Sequence, residues 1–89
     1  MIAKPGFLLR KIVDEYILVP VGTNVGLFKG VVLLNHVSSF LWEKLQSPVS
    51  REDLLAMLLE EYDIDEQTAS ADLDSILEQF RQLDIIEPE

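Results

Sequence analysis

Residues 50–84 have the sequence SREDLLAMLLEEYDIDEQTASADLDSILEQFRQLD, and this stretch decides the fold. Leucine and isoleucine recur at helical spacing on both sides of Asp63-Ile64-Asp65, which predicts two helices joined by a short turn. Ser50, with Asp53 three residues later, is the predicted cap of the first helix, and Asp65 caps the second. This arrangement is typical of helix-turn-helix proteins that bind DNA.

The second of these helices has the wrong surface charge for nucleic acid. Its one cation is Arg81, and its acidic residues are Asp65, Glu66, Asp72, Asp74 and Glu78. A phosphate backbone is bound by neutralising its charge with Lys and Arg, so this surface would repel it. The sequence therefore indicates a DNA-binding scaffold used for a different polymer, and a peptide is the most plausible one.

Charge is distributed unevenly along the chain. Residues 1–44 contain five Lys/Arg and three Asp/Glu, a net charge of +2, whereas residues 45–89 contain two and thirteen, a net charge of −11. One interpretation is an acidic surface that aids solubility. The other is a polarity between a weakly basic region and acidic helices that orients a partner.

The N-terminal part predicts a small sheet. Phe7–Val13 and Tyr16–Val21 are rich in β-branched and aromatic residues, and Asp14-Glu15 between them predicts a hairpin with a turn or longer loop there. Both segments are apolar on both faces, so we expect helices to cover part of the second face. A loop follows at Gly22–Gly26, and a turn through Phe28 and Lys29 leads to the next strand.

The predicted third strand, Val31–Leu34, is the last strand before the helices. It is short, and we expect it at the edge of the sheet. Asn35 is the predicted cap of a helix that ends near Gln46. In that helix Trp42 is interpreted either as core or as an anchor for a partner.

The order of strands first and helices afterwards predicts an α+β domain. It is a three-stranded antiparallel sheet followed by three helices, similar to a winged helix-turn-helix. Eighty-nine residues are enough for one domain, and we expect residues 6–86 to be ordered.

The sequence contains little that could carry catalysis. There is no cysteine, and His36 is the only histidine, so thiolate chemistry, a serine triad and a transition-metal site have no basis. Glycine-rich phosphate loops and calcium-binding loops are absent as well. We therefore expect no enzyme activity, cofactor or metal.

The last predicted helix grades from apolar to hydrogen-bonding along one side. Ile76 lies at the border of its apolar face, and Asp72, Ser75 and Gln79 lie beyond that border. Ile76 is interpreted either as core or as the wall of a groove. An edge strand with unpaired backbone groups can add a peptide as a further strand, while such a wall selects its side chains.

The sequence resembles the PqqD-like proteins over about residues 6–86. The resemblance rests on Gly6–Arg10, Glu15–Pro20, Leu34-Asn35 with Phe40-Leu41-Trp42, and Leu58–Asp65 with Asp72-Leu73. This family is named for protein D of pyrroloquinoline quinone biosynthesis. It includes the recognition elements of ribosomally made, modified peptides.

The resemblance implies a non-catalytic adaptor that binds the leader segment of a precursor peptide between the third strand and the third helix. Such adaptors present the leader to a modifying enzyme, often a radical SAM enzyme. Carried onto this sequence, the strand part of the site is Val31, Val32, Leu33 and Leu34. The helix part, chosen by geometry, is Asp72, Ser75, Ile76 and Gln79.

Leader peptides often contribute acidic residues, so positive charge is expected from Arg10, Lys11 and Lys29. Two alternatives stay open: a winged-helix DNA-binding regulator, and a structural subunit of a larger modifying enzyme. No signal peptide or membrane span is evident, so we expect a cytoplasmic protein. An exposed edge strand leaves monomer and homodimer open.

Overall fold

The computed structural model describes residues 1–27 and 30–88 of the chain. The described residues form two compact units. One is Lys4–Glu43, called the sheet unit; the other is Met1–Ala3 with the chain from Lys44 onward, called the helix unit. In chain order the elements are β1 (Ile2–Ala3), β2 (Phe7–Ile12), β3 (Glu15–Pro20), α1 (Asn24–Leu27), β4 (Val32–Leu34), α2 (His36–Lys44), α3 (Arg51–Glu61), α4 (Glu66–Gln82) and β5 (Ile86–Glu87).

The predicted α+β class with a three-stranded antiparallel sheet is confirmed. In the sheet unit the strands have the order β2-β3-β4, and both neighbouring pairs are antiparallel. The predicted loop at Gly22–Gly26 overlaps the single helical turn α1, which extends to Leu27. The predicted turn residues Phe28 and Lys29 lie outside the described residues.

The β2–β3 hairpin turns one residue earlier than the sequence predicted. Ile12 pairs with Glu15, so the two turn residues are Val13 and Asp14 rather than Asp14-Glu15. Val13 has φ 58°, a left-handed conformation that a β-branched side chain adopts only with strain. The prediction was wrong because valine carries no local turn signal.

We expect Val13→Asn to stabilise the protein. Asparagine tolerates a positive φ, so the change removes strain of about 1 kcal/mol. Thermal unfolding should shift upward by about 4–8 °C for a domain of this size. Val25→Asn is the control, because Val25 is also exposed but does not have a positive φ. An equal or lower melting temperature for Val13→Asn contradicts the prediction.

A glycine and an asparagine fix the start of the sheet. The Asn24 side-chain amide donates to the carbonyl oxygens of Pro5 and Gly6, each at 3.1 Å. Gly6 has φ 96°, and a Cβ atom there would collide with the Asn24 amide nitrogen. Any other residue at position 6 therefore disturbs the contact that ties α1 to the start of β2.

The inner face of the sheet is covered by α2. The ring of Phe7 meets Trp42 edge-on with centroids 6.1 Å apart, and Tyr16 meets His36 in the same way at 5.8 Å. Trp42 is 2% exposed, which favours its interpretation as core. Asn35 caps α2 as predicted, since its side-chain oxygen accepts from the Ser38 N–H at 2.7 Å.

Several aliphatic side chains on the outer face of the sheet are exposed. Strand alternation and register place Leu8, Ile12, Ile17, Val19 and Leu33 on this face. Leu8, Ile12 and Leu33 are 45%, 56% and 69% exposed. Ile17 and Val19 on the same face are partly buried, and the expectation that helices cover part of this face stays a prediction.

In the helix unit, α3 and α4 begin at the predicted caps. Ser50 and Asp53 form a reciprocal capping box at α3, and the Asp65 side chain accepts from the Thr68 N–H at 2.7 Å. The buried residues of the two helices recur at helical spacing: Leu54, Leu58, Ala69, Leu73, Ile76, Leu77 and Phe80.

The end of α4 turns the chain sharply. Asp84 has φ 58°, its N–H donates to the Arg81 carbonyl, and the Ile85 N–H donates to the Phe80 carbonyl. This is the Schellman arrangement of a helix end. It directs Ile85 and Ile86 into the core, where both are at most 3% exposed.

The ordered region was predicted to begin near Pro5-Gly6, but a strand precedes it. In β1, Ala3 pairs with Ile86 of β5, and the Ala3 N–H donates to the Leu45 carbonyl at 2.8 Å. Met1 is buried at 8% exposure. This pairing was missed because it joins residues from opposite ends of the sequence.

An ion pair joins α3 and α4. The Arg51 guanidinium donates to both carboxylate oxygens of Asp74, at 2.7 and 3.1 Å, and to the Ser70 hydroxyl at 2.6 Å. This hydrogen bond from Arg51 lowers the pKa of Asp74 below its ordinary value. The pair is exposed, so solvent and salt weaken it.

The lowered pKa of Asp74 predicts a pH dependence. Ionised Asp74 stabilises the folded state fully above its unfolded pKa of about 4, and the contribution is lost as pH falls through the lower folded pKa. We therefore expect Asp74→Asn to be less stable than the parent near neutral pH, with the difference closing as pH falls below about 4. Denaturant titrations at stepped pH measure this, and added salt should narrow the difference at neutral pH. A difference that stays constant with pH contradicts it.

Candidate functional site

The sheet has two edges: the outer side of β2, and the side of β4 away from β3, which is called the free edge. No strand pairs with that side in the described part of the chain. The register of the β2–β3 hairpin determines which backbone groups of β4 point outward. In a two-residue hairpin the residues that flank the turn form a hydrogen-bonded pair, so Ile12 and Glu15 exchange backbone bonds.

Hydrogen-bonded pairs then alternate along the ladder. The bond from the Val21 N–H to the Gly6 carbonyl, 2.9 Å long, agrees with this alternation. Ile17 therefore directs its backbone groups to β2, while Tyr16 and Leu18 direct theirs to β4. Pro20 pairs with Phe7 at a non-hydrogen-bonded position. Its missing N–H therefore costs no hydrogen bond to β2.

The same alternation determines the orientation of β4. Leu34 and Val32 pair with Tyr16 and Leu18, so their N–H and C=O groups point into the sheet. Leu33 pairs with Ile17 at a non-hydrogen-bonded position, so its N–H and C=O point outward from the edge. Leu33 thus presents one donor and one acceptor beside an aliphatic side chain that is 69% exposed.

The four predicted strand residues have different environments. Val32, Leu33 and Leu34 form β4, and Val31 lies directly before it with 50% exposure. Leu34 is buried at 8% exposure, so its side chain belongs to the inner face. The sequence predicted this strand but not Ile17, the neighbour of Leu33 on the outer face. The alternation of side chains along β3 indicates Ile17 once the register is known.

The four predicted helix residues lie on α4. Asp72, Ser75 and Gln79 are exposed and follow each other at helical spacing along one side of the helix. Ile76 is 8% exposed, which favours its interpretation as core. A role of these residues in binding stays a prediction.

Positive charge is sparse on the described helices α3 and α4. Arg51 contacts Asp74, and the Arg81 guanidinium lies 3.5 Å from the Glu78 carboxylate. In the sheet unit, Arg10 is exposed, and the Lys11 ammonium lies 5.6 Å from the centre of the Tyr16 ring. Lys29, the third predicted cation, lies outside the described residues.

Neither a metal-binding cluster nor a membrane-spanning helix is found among the described residues. Among residues 1–27 and 30–88, no group of three or more His, Cys, Asp or Glu side chains is arranged to hold a metal ion. None of the helices in that part of the chain is long and apolar enough to cross a bilayer.

Comparison with known proteins identifies the family. Residues 15–86 match the family model "Coenzyme PQQ synthesis protein D (PqqD)". The chain therefore belongs to the PqqD family, as the resemblance in its sequence implied. No curated protein matches the sequence.

Two solved structures share the fold. One is "TbiB1 in Complex with the TbiA(beta) Leader Peptide", with a TM-score of 0.76 and 22% identity, covering 100% of this chain and 98% of that one. The other is "Lasso peptide synthetase B1 complexed with the leader peptide", with a TM-score of 0.73 and 16% identity, covering 97% and 95%. At these identities the likeness establishes the fold.

Proposed function

We propose that this protein is a non-catalytic adaptor that binds the leader of a ribosomally made precursor peptide. The leader adds to β4 as a fourth strand of the sheet. The proposal depends on the edge at Leu33, which pairs with no strand among the described residues and where one backbone N–H and one C=O point away from the sheet. Both similar structures contain a leader peptide bound to the protein with this fold, which supports the same role here.

Two sets of residues are proposed to contact the leader. Val31, Val32, Leu33 and Leu34 supply the strand, and its main-chain hydrogen bonds provide affinity without regard to sequence. Asp72, Ser75, Ile76 and Gln79 are the proposed selecting residues on α4. The bound leader is then presented to a modifying enzyme in the cytoplasm, and a radical SAM enzyme is one candidate.

Amide hydrogen exchange tests the strand addition directly. We expect the Leu33 amide to exchange fast in the free protein and to become protected when a leader binds, because its N–H gains a partner. The Val32 and Leu34 amides should be protected in both states, since they already bond to β3. The peptides are synthetic segments tiling the short reading frames that flank the gene, and calorimetry selects those that bind.

The result that overturns the proposal is equally specific. Failure of every encoded peptide to bind at high micromolar concentration contradicts the adaptor role. Binding without protection of Leu33 contradicts strand addition. Tight association with a neighbouring enzyme in the absence of any leader affinity favours a structural subunit instead. The acidic surface of α4 argues against DNA binding, and retention of DNA that weakens steeply with salt would reverse that conclusion.

A further inference from the structure

The outer face of the sheet carries a row of residues that ends at the free edge. Arg10 of β2 pairs with Ile17 of β3, and Ile17 pairs with Leu33 of β4. Paired residues in neighbouring strands project their side chains on the same face. A strand added beside β4 extends this row, so one of its side chains stands next to Leu33 on the outer face.

The chemistry beside that position is aliphatic. Leu33 is 69% exposed, and Ile17 behind it is partly buried. An apolar side chain in the added strand covers the exposed part of Leu33 and gains from its removal from water. A polar side chain at this position does not provide this favourable burial of apolar surface.

The charged residue of the row is too distant to change this preference. Neighbouring strands lie about 4.8 Å apart, so Arg10 and the added residue are separated by about 14 Å. Their interaction across an exposed surface is largely screened at physiological salt. An acidic residue at this position therefore finds no cation within reach in the described sheet.

We propose that the bound leader places an aliphatic or aromatic residue against Leu33 on the outer face, and that Leu33 selects for it. Side chains alternate along an extended segment, so the residues on either side of this one point to the inner face. The leader segment is thus expected to have an apolar residue on the outer face at the position opposite Leu33. This inference rests on the proposed strand addition and adds the side-chain chemistry of the ligand.

Leu33→Thr and Ile12→Thr form the matched pair that tests it. Both residues are exposed aliphatic side chains on the same face, but Ile12 lies on β2, two strands from the free edge. Threonine keeps the backbone N–H and suits a strand. We expect Leu33→Thr to weaken binding of the encoded peptide about five-fold and Ile12→Thr to leave it unchanged.

A double-mutant cycle identifies the partner residue. Each apolar residue of the peptide is replaced by alanine and tested against the parent protein and Leu33→Thr. One position should show coupling with Leu33, because the two side chains touch only there. Equal binding by Leu33→Thr and the parent overturns this inference while strand addition stands. Absence of binding by the parent protein overturns both, and melting temperatures show that each variant is folded.

Discussion

Leu33→Pro is expected to abolish leader binding while the domain stays folded. Proline removes the one N–H that β4 offers at its free edge, and its ring occupies the space where the added strand approaches. Proline is tolerated at an edge position whose N–H faces solvent, so the sheet itself loses no hydrogen bond. The affinity for the leader should fall at least about ten-fold, because the leader loses the hydrogen bond from the Leu33 N–H and the proline ring also displaces the added strand.

Two controls separate the backbone effect from other causes. Leu33→Ala shortens the side chain but keeps the N–H, so it should bind more tightly than Leu33→Pro. Val32→Pro removes a bond to Leu18 inside the sheet and should lower the melting temperature instead. Calorimetry and thermal unfolding on the same samples decide the matter. If Leu33→Pro is folded and binds like Leu33→Ala, the leader does not add to this edge.

Phe80→Ala is expected to have the largest effect on stability. The Phe80 side chain is 1% exposed in the helix unit, and its removal leaves a cavity that the surrounding residues only partly fill. Such changes cost about 3–5 kcal/mol, a large fraction of the stability of a small domain. The melting temperature should fall by at least about 12 °C.

Gln79→Ala is the matched control for Phe80→Ala. It lies one residue away on the same helix but is exposed, and alanine suits a helix at least as well as glutamine. Its stability should stay within about 0.5 kcal/mol of the parent. A similar loss for both variants would mean that the helix, rather than the packing of the Phe80 ring, is the sensitive feature. The same variant also tests whether Gln79 contributes to peptide binding.

The features that could be predicted from the sequence are those with local causes. Helix caps are formed by Asn35, Ser50 and Asp65 through hydrogen bonds to residues three positions away. The local sequence is therefore enough to locate them. The helical spacing of apolar residues likewise predicted α4, in which Leu73 and Phe80 are buried.

The features that were missed depend on distant parts of the chain or on strained backbone. The strand at Ile2–Ala3 exists through its pairing with β5 at the other end of the sequence. The turn at Val13 uses a conformation that valine disfavours, so no local preference indicates it. The exposure of Leu33 on the outer face depends on tertiary packing. The strand part of the candidate site was predictable because an edge strand follows from chain order, whereas the contacts of the helix part do not.

The edge at β4 is held in position at its C-terminal end. Leu34 is followed directly by Asn35, which caps α2, so no loop separates the strand from the helix. A strand fixed in this way loses little conformational entropy when a ligand adds to it, and most of the ordering penalty falls on the flexible leader. Leaders that β-branched residues or cyclisation preorganise in an extended conformation should therefore bind more tightly than flexible leaders that make the same contacts.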